Sequence, residues 1–301
     1  TLGYTFGSQR DIRQLAARNG WLTTFQDFNQ QYTEVTNKTL DYSINVEPMR
    51  DLKIDLIGNR TFAENLTENY RVDDNSNYVS LTPNTFGNFN VSTSLIKTAF
   101  SKSDENQSAA FDDFRANRLV VANRLARAAG IDITNPANLD AEGYPLGFGK
   151  NSQRVLLPAF LSAYQGGDPD KISTGAFRDV PIPNWTIKYT GLMRIPWFKK
   201  TFRRFSIQHG YRSRYTINQF RTNLDYVAPD FDFSATSPQN ADAVDQAGNF
   251  KNETLYSNIN LEEQFSPLIR LEFEMKNSIK VLAEVKTDRL LSLSFDNIMY
   301  Q

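Results

Sequence analysis

Apolar and polar side chains alternate almost without interruption over residues 38–57 and again over 252–286. Leu40, Tyr42, Ile44 and Val46 alternate with Thr39, Asp41, Ser43 and Asn45. Ile269, Leu271, Phe273 and Met275 alternate with Arg270, Glu272, Glu274 and Lys276. A period of two sends the two sets to opposite faces of a strand. One face is apolar; the other is charged. A sheet with these faces either packs on a protein core or closes into a barrel with lipid outside and water inside.

The same pattern predicts further elements. Residues 8–20 carry a Ser cap, helix formers and a closing Gly, which predict a short helix, followed by an irregular Gln- and Asn-rich stretch to about residue 35. Glu47 to Asp51 is turn chemistry between a strand ending near Val46 and one resuming at Leu52, Ile54 and Leu56, with Phe62 and Leu66 keeping the parity toward Tyr70. A polar turn follows at 73–77. Residues 86–97 predict a third strand, with Phe89, Val91, Thr93 and Leu95 on one face. From 107 the period becomes helical, through Phe111, Phe114, Val121 and Leu125 to a stop at Gly130. A second helix is expected from Ser152 to Tyr164, broken by Pro158 and ended by Gly166-Gly167. Strands return at Trp185, Ile187 and Tyr189 and from Phe205 to Tyr215, separated by a basic, aromatic segment, Arg194-Ile195-Pro196-Trp197-Phe198-Lys199-Lys200. That composition suits either a compact turn or the boundary between lipid tails and headgroups. A disordered-looking loop is expected at 221–250. Three or four final strands follow, with Ser266-Pro267 and Lys276-Asn277 as tight turns. Thr287-Asp288-Arg289 is either another turn or the middle of one long strand, and the turn is favoured because an outward arginine at mid-bilayer costs about 2–4 kcal/mol.

Composition narrows the choices. The 33 basic and 34 acidic residues nearly cancel, which argues against a global electrostatic grip on nucleic acid. With no cysteine there are no disulfides, thiolate metal sites or cysteine nucleophiles. A mean hydropathy of −0.49 excludes a bundle of lipid-spanning helices, since the longest apolar run, Val155 to Leu161, is far short of the ~18 residues needed. Barrels hide lipid-facing residues at alternate positions, so this does not exclude the membrane. The chain begins Thr-Leu-Gly-Tyr, with no initiator Met or signal peptide, and is expected to be a mature or internal piece. No repeat of 20–50 residues points to a propeller or solenoid.

Candidate chemistry is sparse. His209 is the only histidine and falls at an apolar position of a strand, with no Gly-x-Ser-x-Gly elbow to pair with it. Gly147-Phe148-Gly149-Lys150 suggests a phosphate loop, but its first glycine is misplaced at Gly143 and Asn151 stands where Ser or Thr is needed. The spacing of Asp242, Asp245 and Gly248 does not match a calcium loop. Of seven Asn-x-Ser/Thr triplets, among them Asn37, Asn65 and Asn184, several fall inside expected strands and most read as chance. Arg118, Arg124 and Arg127, with Arg203, Arg204, Arg212 and Arg214, could meet an acidic partner or line a solvated face. No catalytic, cofactor-binding or metal-binding residue is assigned, and the chain reads as not an enzyme.

Several segments carry a family likeness. Gly7-Ser8-Gln9-Arg10-Asp11-Ile12-Arg13-Gln14 with Ala17-Arg18-Asn19-Gly20-Trp21-Leu22 resembles a stretch of the giant SprA/Sov family. The likeness continues through Val46-Glu47-Pro48 into Leu52-Lys53-Ile54, Gly87-Asn88-Phe89, and Arg154-Val155-Leu156-Leu157-Pro158-Ala159-Phe160-Leu161. Its most specific segments are Ile182-Pro183-Asn184-Trp185, Phe198-Lys199-Lys200, His209-Gly210-Tyr211-Arg212-Ser213, and Glu263-Gln264-Phe265-Ser266-Pro267-Leu268-Ile269. It covers the chain nearly end to end and is weakest at 73–86 and 221–250. The family comprises outer-membrane translocons of the type IX secretion system in Bacteroidetes, also linked to gliding motility. Its members are several times longer, so the resemblance makes this chain an internal or C-terminal piece.

The residue pattern reads as an all-β fold with helical insertions, and the resemblance implies that its antiparallel strands form part of a very large transmembrane β-barrel in the bacterial outer membrane. Residues 1–97 and 183–301 would supply barrel strands and 98–182 a helical insertion. It further implies export of folded cargo proteins, and as partners a PorV-type lateral-gate barrel, a plug protein and a peptidyl-prolyl isomerase. Two other expectations stand beside it. A soluble or cell-surface β-sandwich adhesin or carbohydrate-binding module would press its apolar faces together. A small outer-membrane barrel enzyme would turn His209 toward a polar pocket.

Overall fold

A computed structural model describes residues 11–25, 31–101, 103 and 107–295. Its strands are β1 (Gln31–Met49), β2 (Leu52–Val72), β3 (Tyr78–Ser80), β4 (Asn84–Ser92), β5 (Asn184–Tyr189), β6 (Phe202–Thr222), β7 (Thr254–Tyr256), β8 (Asn258–Met275) and β9 (Lys280–Ser294). Helices are α1 (Arg13–Arg18), α2 (Ala109–Ala128), α3 (Gln153–Gln165) and α4 (Pro196–Thr201). All strand pairs are antiparallel and join one sheet, with the path β1-β2-β4-β6-β8-β9. Strands β1 and β9 are its two edges, and each pairs on one side only among the described residues. At 21 residues, β2 and β6 are each about 70 Å long at the usual rise per residue.

The position between β2 and β6 is filled by two strands laid end to end. β4 pairs with residues 60–67 of β2, β5 pairs with 52–57, and both continue against β6. The chain leaves this line at Ser92 and rejoins it at Asn184. A break in a sheet interior orphans backbone N–H groups on both neighbours. Here side chains cover them: Asn59 N donates to Ser92 Oγ at 3.1 Å, and Ser213 N donates to Asn184 Oδ1 at 2.7 Å. Ile182 N donates to Ser92 O at 2.9 Å and closes the base of the excursion.

The excursion folds onto one half of one face of the sheet. Phe89, Val91, Tyr215, Ile217, Ile259 and Leu261 form the sheet side of a fully buried core. Phe114 and Val121 of α2, and Leu157, Phe160 and Leu161 of α3, close it from above. Helix α3 lies between the sheet and α2, and is buried from Val155 to Tyr164, so it is apolar on nearly every side. It runs unbroken through Pro158, contrary to the sequence expectation: proline removes one N–H, while packing on all sides holds the turns before and after it. Gly166, at φ +66°, ends it.

Other expectations are corrected by the register. The third strand stops at Ser92; Thr93 and Leu95 are buried, but in the irregular backbone that starts the excursion. Ser266-Pro267 is not a turn. It is a bulge inside β8, where the pairing shifts between Phe265 and Ile269 against β9 and between Gln208 and Tyr211 on β6. Thr287-Asp288-Arg289 is likewise the middle of β9, paired with Phe265, Gln264 and Glu263. Segment 223–253 is an ordered loop. Asn240 Nδ2 donates to the carbonyls of Asp230, Phe233 and Ser234, and Phe250 packs in a second core with Tyr144, Phe148 and Val155. The expected Ser8 cap lies outside the described residues. Asp11 takes its place by accepting from Arg13 N at 3.0 Å.

Candidate functional surface

Registers assign every side chain of the sheet to one of two faces. In the half that the helices leave open, the first face carries Tyr42, Ile44 and Val46 of β1, Leu52, Ile54 and Leu56 of β2, and Ile187 of β5. It continues through Ile207 of β6 and Leu271 and Phe273 of β8 to Val281 and Val285 of β9. At the sheet edges, where neighbouring strands cover least, Ile44 and Val285 stay 49% and 50% exposed. This apolar band has aromatic borders. Trp197, Phe198, Phe202 and Phe205 cluster at its lower edge, around α4. Trp185 stacks on Tyr211 at 4.3 Å between ring centroids at its upper edge, and Tyr211 meets Phe265 at 5.0 Å.

From Phe202 to Tyr211 the strand runs roughly 30 Å. At a barrel tilt of about 40° that is a height of roughly 23 Å, close to the ~25 Å apolar band of outer-membrane barrels. The remaining strand length lies beside the helices.

Behind the band, the opposite face is charged. Arg204 reaches Glu272 at 3.0 Å, Arg270 lies 3.8 Å from Glu272 and 3.9 Å from Glu284, and Lys286 is 2.7 Å from Glu284. This chain of ion pairs crosses β6, β8 and β9. Its members are partly solvated, so each pair contributes about 0.2–1 kcal/mol and wants water nearby. Beside it, at the strand break, a trough of about 340 Å³ is lined by Asp55, Asn59, Thr186, Arg212, Arg214 and Glu262. Ile57 and Leu282 are the apolar exceptions on the charged side within this half.

Two buried acids on this same face, outside the band, centre charged networks. Glu263 of β8 is buried; it is 2.9 Å from Arg289 of β9 and accepts from Tyr211 Oη at 2.8 Å. Arg289 also donates to Thr98 O and Oγ1 at 3.0 and 3.1 Å. So the arginine that the sequence reading kept out of a strand is in one. Its charge is paired and hydrogen-bonded at the edge of the helical cover, not exposed at mid-band. At the far end of β2, Glu68 is 1% exposed and binds Arg13, Tyr78 and Ser80. Burial opposes its charge, but the hydrogen bonds from Ser80, Tyr78 and Arg13 prevail and hold the carboxyl below its usual range. Both acids stand at positions of apolar parity, Glu263 between Leu261 and Phe265 and Glu68 between Leu66 and Tyr70. That misfit was the sequence signal that could have found them.

Residues singled out from the sequence fall mostly into structural roles. His209 Nδ1 is 2.7 Å from Leu268 O, and its ring lies between those of Trp185 and Phe265 on the apolar face. Gly147, at φ +87°, lies against the Phe250 ring, where a Cβ would come within 2.2 Å. Asp245 accepts from Ala247 N and Asn249 N at 2.9 Å each and shapes its own loop. Arg124 braces the excursion through Pro169 O and Ile172 O, and Arg203 and Arg204 pair with Glu274 and Glu272. Arg212 and Arg214 both line the trough on the charged face. Among the described residues no cluster of His, Cys, Asp and Glu could hold a metal, and no helix is long and apolar enough to cross a membrane.

Compared with known proteins, the chain matches no family model, and no curated protein matches it.

Proposed function

We propose that this chain is a wall segment of a very large outer-membrane β-barrel, with the apolar band against lipid and the charged face lining an aqueous channel. One observation carries the reading: along the same stretch of β6, β8 and β9, alternate residues present a continuous apolar surface on one side and the Arg204–Glu272–Arg270–Glu284–Lys286 chain on the other. A sheet between two aqueous layers gains nothing from the first face, and one buried in a protein core pays for the second. The band's aromatic borders and its height support the same placement. Open edges at β1 and β9 suit a wall that continues into further strands.

With the segment resemblance, the reading becomes specific: a piece of a type IX secretion translocon of the bacterial outer membrane, exporting folded cargo proteins and supporting gliding motility. It has no catalytic role in this proposal. Its partners are a PorV-type lateral-gate barrel, a plug protein, a peptidyl-prolyl isomerase and the cargo. The β-sandwich alternative needs a second sheet over the apolar band, and among the described residues none packs there.

The test is extraction of the native protein from outer membranes in mild detergent, with mass spectrometry of this chain and what co-purifies. Recovery within a very large polypeptide together with a PorV-type barrel is the expected result. A free 34.4 kDa species in the aqueous fraction would overturn the proposal and favour a soluble adhesin.

A further inference from the structure

The helical excursion covers the same face of the sheet that carries the apolar band, so its lower rim borders the band directly. Two separate segments make up this rim. Pro181 O accepts from Tyr42 Oη at 2.9 Å, and Ile182 is tied to Ser92. Farther across the sheet, Leu95 N donates to Tyr211 Oη at 2.7 Å, and Phe100 lies on Phe265 with ring centroids 5.4 Å apart. Tyr42, Tyr211 and Phe265 belong to the upper rows of the band. The rim therefore follows the band's upper border from β1 to β8.

The rim is itself apolar where it turns outward. Phe100 is 70% exposed, although its other side rests on Phe265, and Val180, Ile182 and Ile96 are exposed as well. Ile96 and Ile182 border one open concavity of about 430 Å³ together with Lys97 and Lys171. Lys171 reaches Asp168 at 3.4 Å, an exposed pair worth little, and Lys97 Nζ donates to Gly166 O at 2.9 Å. Apolar side chains beside lysines on long aliphatic stems are the composition that lies at the boundary of lipid tails and headgroups.

We infer that this rim is a second membrane contact: Phe100, Ile96 and Ile182 sit in the headgroup layer of the leaflet that borders the band, with Lys97 and Lys171 at its phosphates. The inference rests on the barrel reading above and adds a contact that the strands do not make. It gives the excursion a role beyond covering the sheet, since a rim set in the headgroups fixes the depth at which the wall stands in the bilayer.

This segment contributes no cysteine of its own, so once any cysteine elsewhere in the full-length protein is replaced, single labels report on the contact directly. In the full-length protein, reconstituted in phospholipid nanodiscs, single Phe100→Cys, Ile182→Cys, Val285→Cys and Leu119→Cys substitutions carry a nitroxide label. Collisions with oxygen, which concentrates in lipid, and with a nickel chelate, which stays in water, are then read by electron paramagnetic resonance. The expected result is a lipid-like label at 285, a water-like one at 119 on α2, and nickel collisions at 100 and 182 several-fold below those at 119. Water-like labels at 100 and 182 beside a lipid-like 285 overturn the rim contact and leave the barrel standing. Labels at 100 and 182 shielded from both reagents overturn it in favour of a covering protein. A water-like label at 285 overturns the barrel reading and the rim with it.

Discussion

Arg289 and Glu263 face each other across β8 and β9, Nη2 to Oε2 at 2.9 Å, where both neighbours along each strand on that face are apolar or small. Tyr211 holds the carboxylate from one side and Thr98 holds the guanidinium from the other. The pair thus fastens the first turn of the excursion to the sheet at the upper border of the apolar band. A charge pair on an apolar face is costly to bury, and costlier to break than to replace as a whole.

Arg289→Ala leaves the Glu263 carboxylate buried with Tyr211 as its remaining side-chain partner, and is expected to cost about 3–5 kcal/mol. Arg289→Met combined with Glu263→Leu should recover most of that loss, because no uncompensated charge remains. Urea unfolding of the purified protein measures both. A double variant as unstable as the single one would show that the site needs the charges themselves.

Glu68 makes the docking of α1 sensitive to acid. Its carboxyl ionises more readily folded than unfolded, so it adds stability above the unfolded value near 4.5, and that contribution fades as pH falls through the lower folded value. Protection of the amides at residues 13–18, corrected for the intrinsic pH dependence of exchange, should therefore fall below about pH 4.5 and stay flat from there to neutrality. Glu68→Gln should exchange faster at neutral pH, by the loss of about 1–3 kcal/mol, and lose the acid step. An unchanged acid step in that variant would assign it to other carboxylates.

Neighbouring residues on β1 test the two faces. Ile44 lies on the apolar band and Ser43 on the charged face, and both are exposed. On the barrel proposal, Ile44→Arg is expected to lower the amount of assembled protein in the outer membrane, at a cost of about 2–4 kcal/mol. Ser43→Arg should stay within about 0.5 kcal/mol of the parent. Equal tolerance at the two positions would remove lipid from the band.

The alternation at 38–57 and 252–286 made the two faces legible, because side-chain period is a local property of a strand. Helix periodicity similarly located α2 and α3. What stayed hidden is set by partners distant in sequence. Nothing near Ser92 or Asn184 announces that β4 and β5 share one line, since only β2 and β6 on either side define it. Pro267 looked like a turn because proline cannot pair normally, and a bulge absorbs it. A turn looked preferable to a long strand at Arg289 because its partners, Glu263 and Thr98, are 26 and 191 residues away. The loop at 221–250 looked disordered for want of apolar periodicity, yet two buried residues anchor it, Asn240 through three carbonyls and Phe250 through the second core.

Gly58 and Tyr42 are opposite one another on β2 and β1, and the Tyr42 ring occupies the space a Cβ on Gly58 would take, with its nearest ring atoms 2.3 Å from that point. The phenol continues past the strand to Pro181 O at 2.9 Å. The missing side chain on β2 is therefore what lets β1 reach the end of the excursion. Gly58→Ala should push the ring outward, at the cost of that hydrogen bond and some ring packing, about 0.5–1.5 kcal/mol, because a tyrosine at a sheet edge can swing away. Tyr42→Phe removes the same hydrogen bond without moving the ring. The two changes should then overlap: the double variant should lose less stability than the sum of the singles, and each single should speed proteolysis at 178–183 to a similar degree. Strict additivity would separate the glycine from the tether and leave Gly58 as a position of close strand approach alone.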